Sequence, residues 1–158
     1  MTGLTADDAD PFDLNRFVQA QAPIYADALA ELVAGCKRSH WMWFVLPQID
    51  GLGFSATTKL YSIKSLAEAR AYLAHPILGA RLVECTRTVL AINGKTALDI
   101  FGKPDDMKLR SSMTLFAAIS PAASVFSDVL DKYYNGKRDP RTVELIKASD
   151  STTTNLPP

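Results

Sequence analysis

The stretch "PILGARLVECTRTVLAIN", residues 76–93, decides the fold class of this chain. Leu78, Leu82 and Val89 follow one another at steps of four and seven residues, which places them on one face of an α-helix. A proline opens the stretch and an Asn-Gly pair closes it, the usual order of helix start and stop signals. The pattern therefore predicts a helix with one buried face.

Helical patterns also dominate on both sides of this stretch. We therefore expect an all-α chain, with one compact domain of six to eight helices at residues 11–148 and flexible tails at 1–10 and 149–158. The other segments with helical patterns are 13–21, 23–35, 65–74, 96–102, 104–120, 124–136 and 139–149. The apolar residues expected in the core are Leu29, Leu32, Leu73, Leu82, Val89, Leu115 and Phe116.

The stretch "KRSHWMWFVLPQIDGLG", residues 37–53, departs from this pattern. It holds both tryptophans of the chain and one of its two histidines. Pro47 argues against a central β-strand, so a short helix and an extended segment that enters a glycine loop both remain open. In either conformation, one set of side chains can enter the core while the other set lines a cleft.

The composition is that of an ordinary globular protein, with 158 residues, 47% of them hydrophobic and 22% charged. Seventeen basic residues balance seventeen acidic ones, so the chain lacks the electrostatic signature of nucleic-acid binding and of a polybasic membrane surface. No apolar run approaches the roughly 20 residues that span a bilayer. We therefore expect neither nucleic acid nor a membrane among the partners, and the oligomeric state stays open.

The N-terminus, "MTGLTADDADPFD", is acidic and lacks the features of a signal peptide, which predicts a cytoplasmic protein. In that compartment Cys36 and Cys85 are expected to be free thiols that pack as small apolar residues. The cysteines and the two histidines, His40 and His75, do not follow the spacing of a metal site. We therefore expect neither a metal ion nor another cofactor.

Two blocks mix polar and aromatic residues beyond what core packing requires, namely residues 37–53 and 105–116. We expect them to meet in space and to form the walls of a pocket, because ligand sites combine an apolar lining with a few fixed polar groups. The alternative is that the same aromatic side chains are core. In the pocket interpretation, no catalytic residue is assigned and the ligand-binding residues are His40, Trp41, Trp43, Gln48, Lys108 and Ser112.

Other polar positions have structural explanations that compete with functional ones. His75 precedes a proline at a junction of two predicted helices, where an imidazole commonly caps the carbonyls of the helix that ends. Glu84 is expected to face solvent or to pair with a neighbouring arginine. Gln19 and Gln21 are expected either in solvent or against an amide-bearing or purine ligand.

Four of these stretches together resemble the domain of unknown function 1810 family, a group of uncharacterised bacterial proteins. They are "FVQAQAPIYADALAEL", "KRSHWMWFVLPQIDGLGFS", "AEARAYLAHPILGARLVEC" and "KLRSSMTLFAA", and the resemblance extends roughly over residues 11–147. It implies a compact all-helical domain and no established activity. The element "FVQAQ" is also similar to one in the helical NADAR proteins, which act on N-glycosidic compounds of the ADP-ribose type.

Three functions are therefore open. The first and leading hypothesis is a small-molecule-binding protein that uses the six pocket residues. The second is an N-glycosyl hydrolase for a nucleotide or an ADP-ribose-like substrate, in which the aromatic residues stack a base, Lys108 holds phosphate and Glu84 assists water. The third is a non-catalytic interaction module, in which the aromatic residues form only core or a partner surface.

Overall fold

The computed structural model describes residues 9–154, and within this range the chain is helical, without a β-strand. Ile49 and Ile63 form one isolated parallel bridge. No helix in this range is both long and apolar enough to cross a bilayer. Of the predicted tails, residues 1–8 and 155–158 lie outside the described residues, whereas residues 149–154 continue the last helix, and the flexibility of the tails stays a prediction. The helices are α1 (Asn15–Gln21), α2 (Tyr25–Val33), α3 (Met42–Val45), α4 (Ala56–Tyr61), α5 (Leu66–Ala74), α6 (Leu78–Ala91), α7 (Ala97–Phe101), α8 (Asp105–Ala118), α9 (Val125–Tyr134) and α10 (Pro140–Thr154).

The all-α prediction is confirmed, but the described residues form ten helices rather than six to eight. One of the additional helices, α3, is a single turn in the segment whose conformation the sequence leaves open. The sequence does not predict α4, because its stretch "ATTKLY" contains two β-branched threonines with low helix propensity. Ser55 nevertheless starts this helix, since its side-chain oxygen accepts a hydrogen bond from Thr58 N at 3.1 Å.

Helices α6 and α8 form the centre of the fold. α6 packs against α2, α5 and α9, whereas α8 packs against α7, α9 and α10. Five of the seven predicted core residues are fully buried, and the other two, Leu29 and Leu73, are half-buried against the core. The five fully buried residues are Leu32, Leu82, Val89, Leu115 and Phe116.

A buried ion pair, the Arg16–Glu68 clamp, joins α1 to α5. The Arg16 guanidinium and the Glu68 carboxylate are 2.8 Å apart, and their side chains are 11% and 2% exposed. Lys64 N donates to the second carboxylate oxygen of Glu68 at 2.9 Å. The remaining guanidinium N–H groups donate to four backbone carbonyls, so all five donors of this side chain are engaged. Those carbonyls belong to Phe12, Asp13, Leu60 and Ser62.

Candidate functional site

A groove with a cavity volume of about 190 Å³ opens between the segment that leads into α3 and the start of α8. We call it the Trp43 groove. Its lining mixes apolar surface with charged side chains, which is the composition expected of a ligand site. The lining residues are Lys37, His40, Met42, Trp43, Lys103, Pro104, Asp105 and Lys108.

Glu31 on α2 fixes the wall that carries Trp43. Its carboxylate accepts four hydrogen bonds, from the backbone N–H groups of Arg38 and Ser39, from the Ser39 hydroxyl and from the Trp41 indole. Burial by itself raises the pKa of this carboxyl, but the hydrogen bonds outweigh burial and lower the pKa to about 2. Glu31 is therefore ionised at neutral pH and holds the loop before α3 against α2.

The turn between α7 and α8 forms the second wall. α7 ends at Phe101, and the next residue, Gly102, has a φ of 70°, in the left-handed region that favours glycine. Asp106 N donates to Gly102 O at 2.9 Å, so α8 starts directly after this turn. A hydrogen bond of 2.7 Å from Lys37 N to Ile100 O joins the two walls. Backbone contacts thus set the width of the groove.

Three lysines and one aspartate line the groove. Lys37 Nζ lies 2.8 Å from Asp105 Oδ2, and only 5% of the Lys37 side chain is exposed. Lys108 Nζ lies 3.6 Å from Asp105 Oδ1, which is beyond hydrogen-bond distance, and 5.2 Å from the centre of the Trp43 ring. Within residues 9–149, the exposed Lys103 ammonium contacts no ion-pair partner. The groove therefore carries a net positive charge.

The two sequence blocks meet in space, as predicted. The Lys37–Asp105 ion pair and the approach of Lys108 to the Trp43 ring both join them. Three of the six predicted ligand-binding residues line this groove together: His40, Trp43 and Lys108. His40 is exposed, whereas Trp43 is half-buried and presents part of its ring to the groove.

Trp41 does not line the groove and is instead part of the core. It directly precedes α3 and is fully buried, with its indole N–H donated to Glu31 Oε1 at 2.9 Å. The pocket interpretation is therefore corrected at this position, where the competing core interpretation holds. The single turn of α3 places neighbouring aromatic side chains in different environments.

Gln48 and Ser112 also lie outside the lining of the groove. Gln48 is half-buried, and its carbonyl accepts a hydrogen bond from Ile63 N at 2.9 Å, so it helps to position the segment before α5. Ser112 is fully buried one helical turn beyond Lys108. Its hydroxyl has no hydrogen-bond partner among the described residues. Lys108 and Ser112 lie on the same face of α8, but this face is exposed to the groove at Lys108 and covered by the core at Ser112.

Five lining residues are not among the predicted site residues. Asp105 carries a recognisable signal, because it precedes Lys108 by three residues and so shares its helix face. Lys37 begins the aromatic block, and Met42 lies inside it. Lys103 and the proline that follows it carry no comparable signal, since only the tertiary contacts of Lys37 with Ile100 and Asp105 bring their turn to the aromatic wall.

His75 has a capping role, but at the opposite end from the one predicted. Its Nδ1 accepts hydrogen bonds from the backbone N–H groups of Ile77 and Leu78, at 3.1 and 3.2 Å. The imidazole therefore caps the start of α6 rather than the carbonyls at the end of α5. The reason is that the first N–H groups of a helix need acceptors as much as its last carbonyls need donors.

Gln21 differs from its predicted environments, whereas Glu84 is exposed to solvent, as expected. Gln21 is buried, and its amide nitrogen donates to Phe44 O at 2.6 Å and to Tyr72 Oη at 3.0 Å. Glu84 accepts a hydrogen bond from the Tyr25 hydroxyl and lines a different groove, on the surface of α6. The carboxylate of Glu84 thus does not join the aromatic wall.

Both cysteines are free thiols. Cys85 is buried, and burial raises the pKa of its thiol to about 11, so it stays protonated at neutral pH. Cys36 is only partly buried. In the described part of the chain, no three histidine, cysteine, aspartate or glutamate side chains cluster as metal ligands do.

Comparisons with known proteins agree with the resemblance seen in the sequence. The model of the family described as protein of unknown function DUF1810 matches residues 11–146. The crystal structure of the conserved hypothetical protein Rv1873 from Mycobacterium tuberculosis is similar, with 56% sequence identity and a TM-score of 0.86. The match covers 87% of this chain and 99% of that chain. No curated protein matches. The chain therefore belongs to the DUF1810 family.

Proposed function

We propose that this protein binds a small molecule in the Trp43 groove. The observation that carries the proposal is the combination, in one concave site, of a half-buried indole with basic groups that have few protein partners. An indole ring offers a flat apolar wall, and ammonium or imidazole groups fix the orientation of a ligand by hydrogen bonds. In this interpretation Trp43 is the wall, and His40, Lys103 and Lys108 are the polar contacts.

The size of the groove favours a compact ligand. Its volume of about 190 Å³ corresponds to about six water molecules at roughly 30 Å³ each. Sites for drug-sized ligands begin at roughly 300 Å³. A ligand as large as ADP-ribose would extend well outside this groove, whereas a small metabolite fits within it.

The hydrolase alternative has less support. It needs a carboxylate beside the aromatic wall to assist water, but Glu84 lies in a different groove and is hydrogen-bonded to Tyr25. The carboxylate that does lie in the Trp43 groove, Asp105, is paired with Lys37 at 2.8 Å. A carboxylate held in an ion pair is a weak base for activating water.

The interaction-module alternative is also less favoured. The large exposed apolar side chains of the described residues lie on different helices or in loops, and no helix contributes more than one of them. These side chains are Val33, Phe54, Leu60, Ile77, Leu98 and Met107.

A fragment titration followed by ¹H–¹⁵N NMR tests the proposal. We expect saturable shifts for the amides of α3 and of the turn between α7 and α8. Trp43→Leu should weaken binding, because it removes the flat wall, while Phe54→Leu is the matched control at a side chain that is 83% exposed and outside the groove. Shifts that cluster around Glu84, or equal effects of the two substitutions, would contradict the proposal.

A further inference from the structure

The charges of the Trp43 groove point to the chemical class of its ligand. We infer that the ligand carries an oxyanion, a carboxylate or a phosphate, and that Lys103 and Lys108 bind this group at the α8 end of the groove. The inference rests on the proposed function, since it requires that the groove binds a small molecule.

Asp105 neutralises Lys37 but not the whole groove. The two groups are 2.8 Å apart, and Lys37 Nζ also donates to Ser39 O and lies 4.9 Å from the centre of the Trp41 ring. With 5% of its side chain exposed, Lys37 has its partners within the protein. One carboxylate cannot balance three ammonium groups, so positive charge remains at the other two lysines.

Lys108 and Lys103 are the groups left to meet a ligand. Lys108 is 26% exposed and stands 3.6 Å from Asp105, too far for a hydrogen bond. Its ammonium lies over the Trp43 ring, 5.2 Å from the ring centre, and Lys108 lines the groove with that ring. Lys103 is exposed on the turn that leads into α8, on the same wall as Lys108. Ammonium groups bind carboxylate and phosphate oxygens through charge-assisted hydrogen bonds, which are stronger than neutral ones.

The surroundings strengthen such bonds. Met42, Trp43 and Pro104 provide apolar surface at the site, and electrostatic attraction grows as water is excluded. The imidazole of His40 adds a further hydrogen-bonding group on the opposite wall. A cationic ligand would be repelled by the three ammonium groups, and a neutral ligand would leave two of them without a counter-charge. An oxyanion with a small apolar body matches both features of the lining.

An NMR titration with four ligands of similar shape and different charge tests the inference. The ligands are phenyl phosphate, benzoate, benzamide and benzylamine, and the signal is the indole N–H resonance of Trp43. Trp41 is the other tryptophan of the chain and serves as an internal reference, because its indole is buried against Glu31. We expect phenyl phosphate or benzoate to bind at least roughly tenfold more tightly than benzamide or benzylamine. The ratio of the two oxyanion affinities distinguishes a phosphate site from a carboxylate site.

Charge-removing variants locate the bound oxyanion. Lys103→Met and Lys108→Met keep the apolar stem, and each should weaken oxyanion binding roughly tenfold, the loss expected for one charge-assisted hydrogen bond. Lys147→Met, at an exposed position on α10 outside the groove, is the matched control and should keep the original affinity. An unchanged Trp41 resonance shows that each variant is folded.

The outcomes separate this inference from the proposed function. Equal binding of benzamide or benzylamine would overturn the oxyanion inference and leave the small-molecule site in place. Equal weakening by Lys147→Met would also overturn it, since the attraction would then come from diffuse surface charge. Failure of all four ligands to shift Trp43 saturably would overturn both.

Discussion

The Arg16–Glu68 clamp and the Trp43 groove both set basic side chains against a single carboxylate, and they differ in how fully these groups are satisfied. In the clamp, one guanidinium uses all five N–H donors on protein acceptors, and the carboxylate is 2% exposed. In the groove, the ammonium groups of Lys37 and Lys108 share one carboxylate, and Lys103 has no ion-pair partner among the described residues.

The difference separates structural charge from charge that is free to bind. A fully satisfied, buried ion pair has no donor left for a ligand, and breaking it leaves an unpaired charge inside the protein. An incompletely paired, partly exposed ammonium costs the fold little and can exchange water for a ligand. We therefore expect substitutions in the clamp to reduce stability, and substitutions at Lys103 or Lys108 to reduce binding.

The largest effect is expected for Glu68→Ala in the clamp. Removing this carboxylate leaves the Arg16 guanidinium buried without its counter-charge, which should lower the free energy of unfolding by about 3–5 kcal/mol. Urea denaturation measures this change. Glu144→Ala is the matched control, because its pair with Arg141 has side chains 61% and 68% exposed, and it should cost less than about 1 kcal/mol. Similar losses for both variants would remove the distinction between clamp and surface pair.

A smaller, mixed effect is expected for Asp105→Asn. It leaves Lys37, whose side chain is 5% exposed, without its carboxylate, and should lower the free energy of unfolding by about 1–3 kcal/mol. The same change removes a competing anion, so phenyl phosphate should bind more tightly. Asp128→Asn, an exposed first-turn aspartate of α9, is the control and should change neither quantity by more than about 1 kcal/mol. Weaker phenyl phosphate binding in Asp105→Asn would contradict the charge argument.

The pH dependence of stability tests the wall held by Glu31. The folded-state pKa of this residue is about 2, below the ordinary value of about 4.3. Its contribution is therefore fully present above about pH 4.3 and is lost as the pH falls towards 2. Glu31→Gln should flatten the stability profile between about pH 5 and pH 2, by an amount on the order of 1 kcal/mol, since solvent screens this partly exposed carboxylate. Thermal denaturation at several pH values measures this profile. If the melting temperatures of Glu31→Gln and of the original protein changed equally with pH, these hydrogen bonds would not stabilise the ionised carboxylate.

The smallest effect is expected for Ser112→Ala, which tests where the groove ends. The buried hydroxyl has no hydrogen-bond partner among residues 9–149, so its removal should change the free energy of unfolding by less than about 1 kcal/mol. Thr114→Ala is the contrast on the same helix, because the Thr114 hydroxyl accepts from Asp139 N at 2.9 Å and donates to Arg110 O at 2.7 Å. That variant should lose about 1–3 kcal/mol. An equal loss for Ser112→Ala would mean that its hydroxyl has a polar partner.

The sequence predicts most of the fold because long helices carry their own signals. Proline at the start of residues 76–93, an Asn-Gly pair at the end and apolar residues at helical spacing suffice to predict α6. By contrast, α4 depends on a single serine cap and on packing against other helices. Neither of these can be predicted from the spacing of apolar residues. Short helices of this kind form in their tertiary context.

The Trp43 groove is less predictable than the fold, because its lining depends on the orientation of the single turn of α3. Trp41 and Trp43 are the same residue type, two positions apart, so the sequence does not distinguish them. Because α3 starts between them, at Met42, Trp41 lies in the core and Trp43 lines the groove. The meeting of the two blocks is predictable from their shared mixture of polar and aromatic residues. Lys103 is not, since a turn between two helices acquires neighbours only through the packing of those helices.

Stability and phenyl phosphate affinity, measured together for Lys108→Met and Glu68→Ala, separate structural charge from charge that binds a ligand. We predict that Lys108→Met keeps the free energy of unfolding within about 0.5 kcal/mol of the original protein and loses roughly tenfold in affinity. Glu68→Ala should lose stability while the fraction that remains folded binds phenyl phosphate with unchanged affinity. Loss of stability with unchanged affinity in Lys108→Met would show that this lysine serves the fold rather than a ligand, and would rule out the oxyanion site.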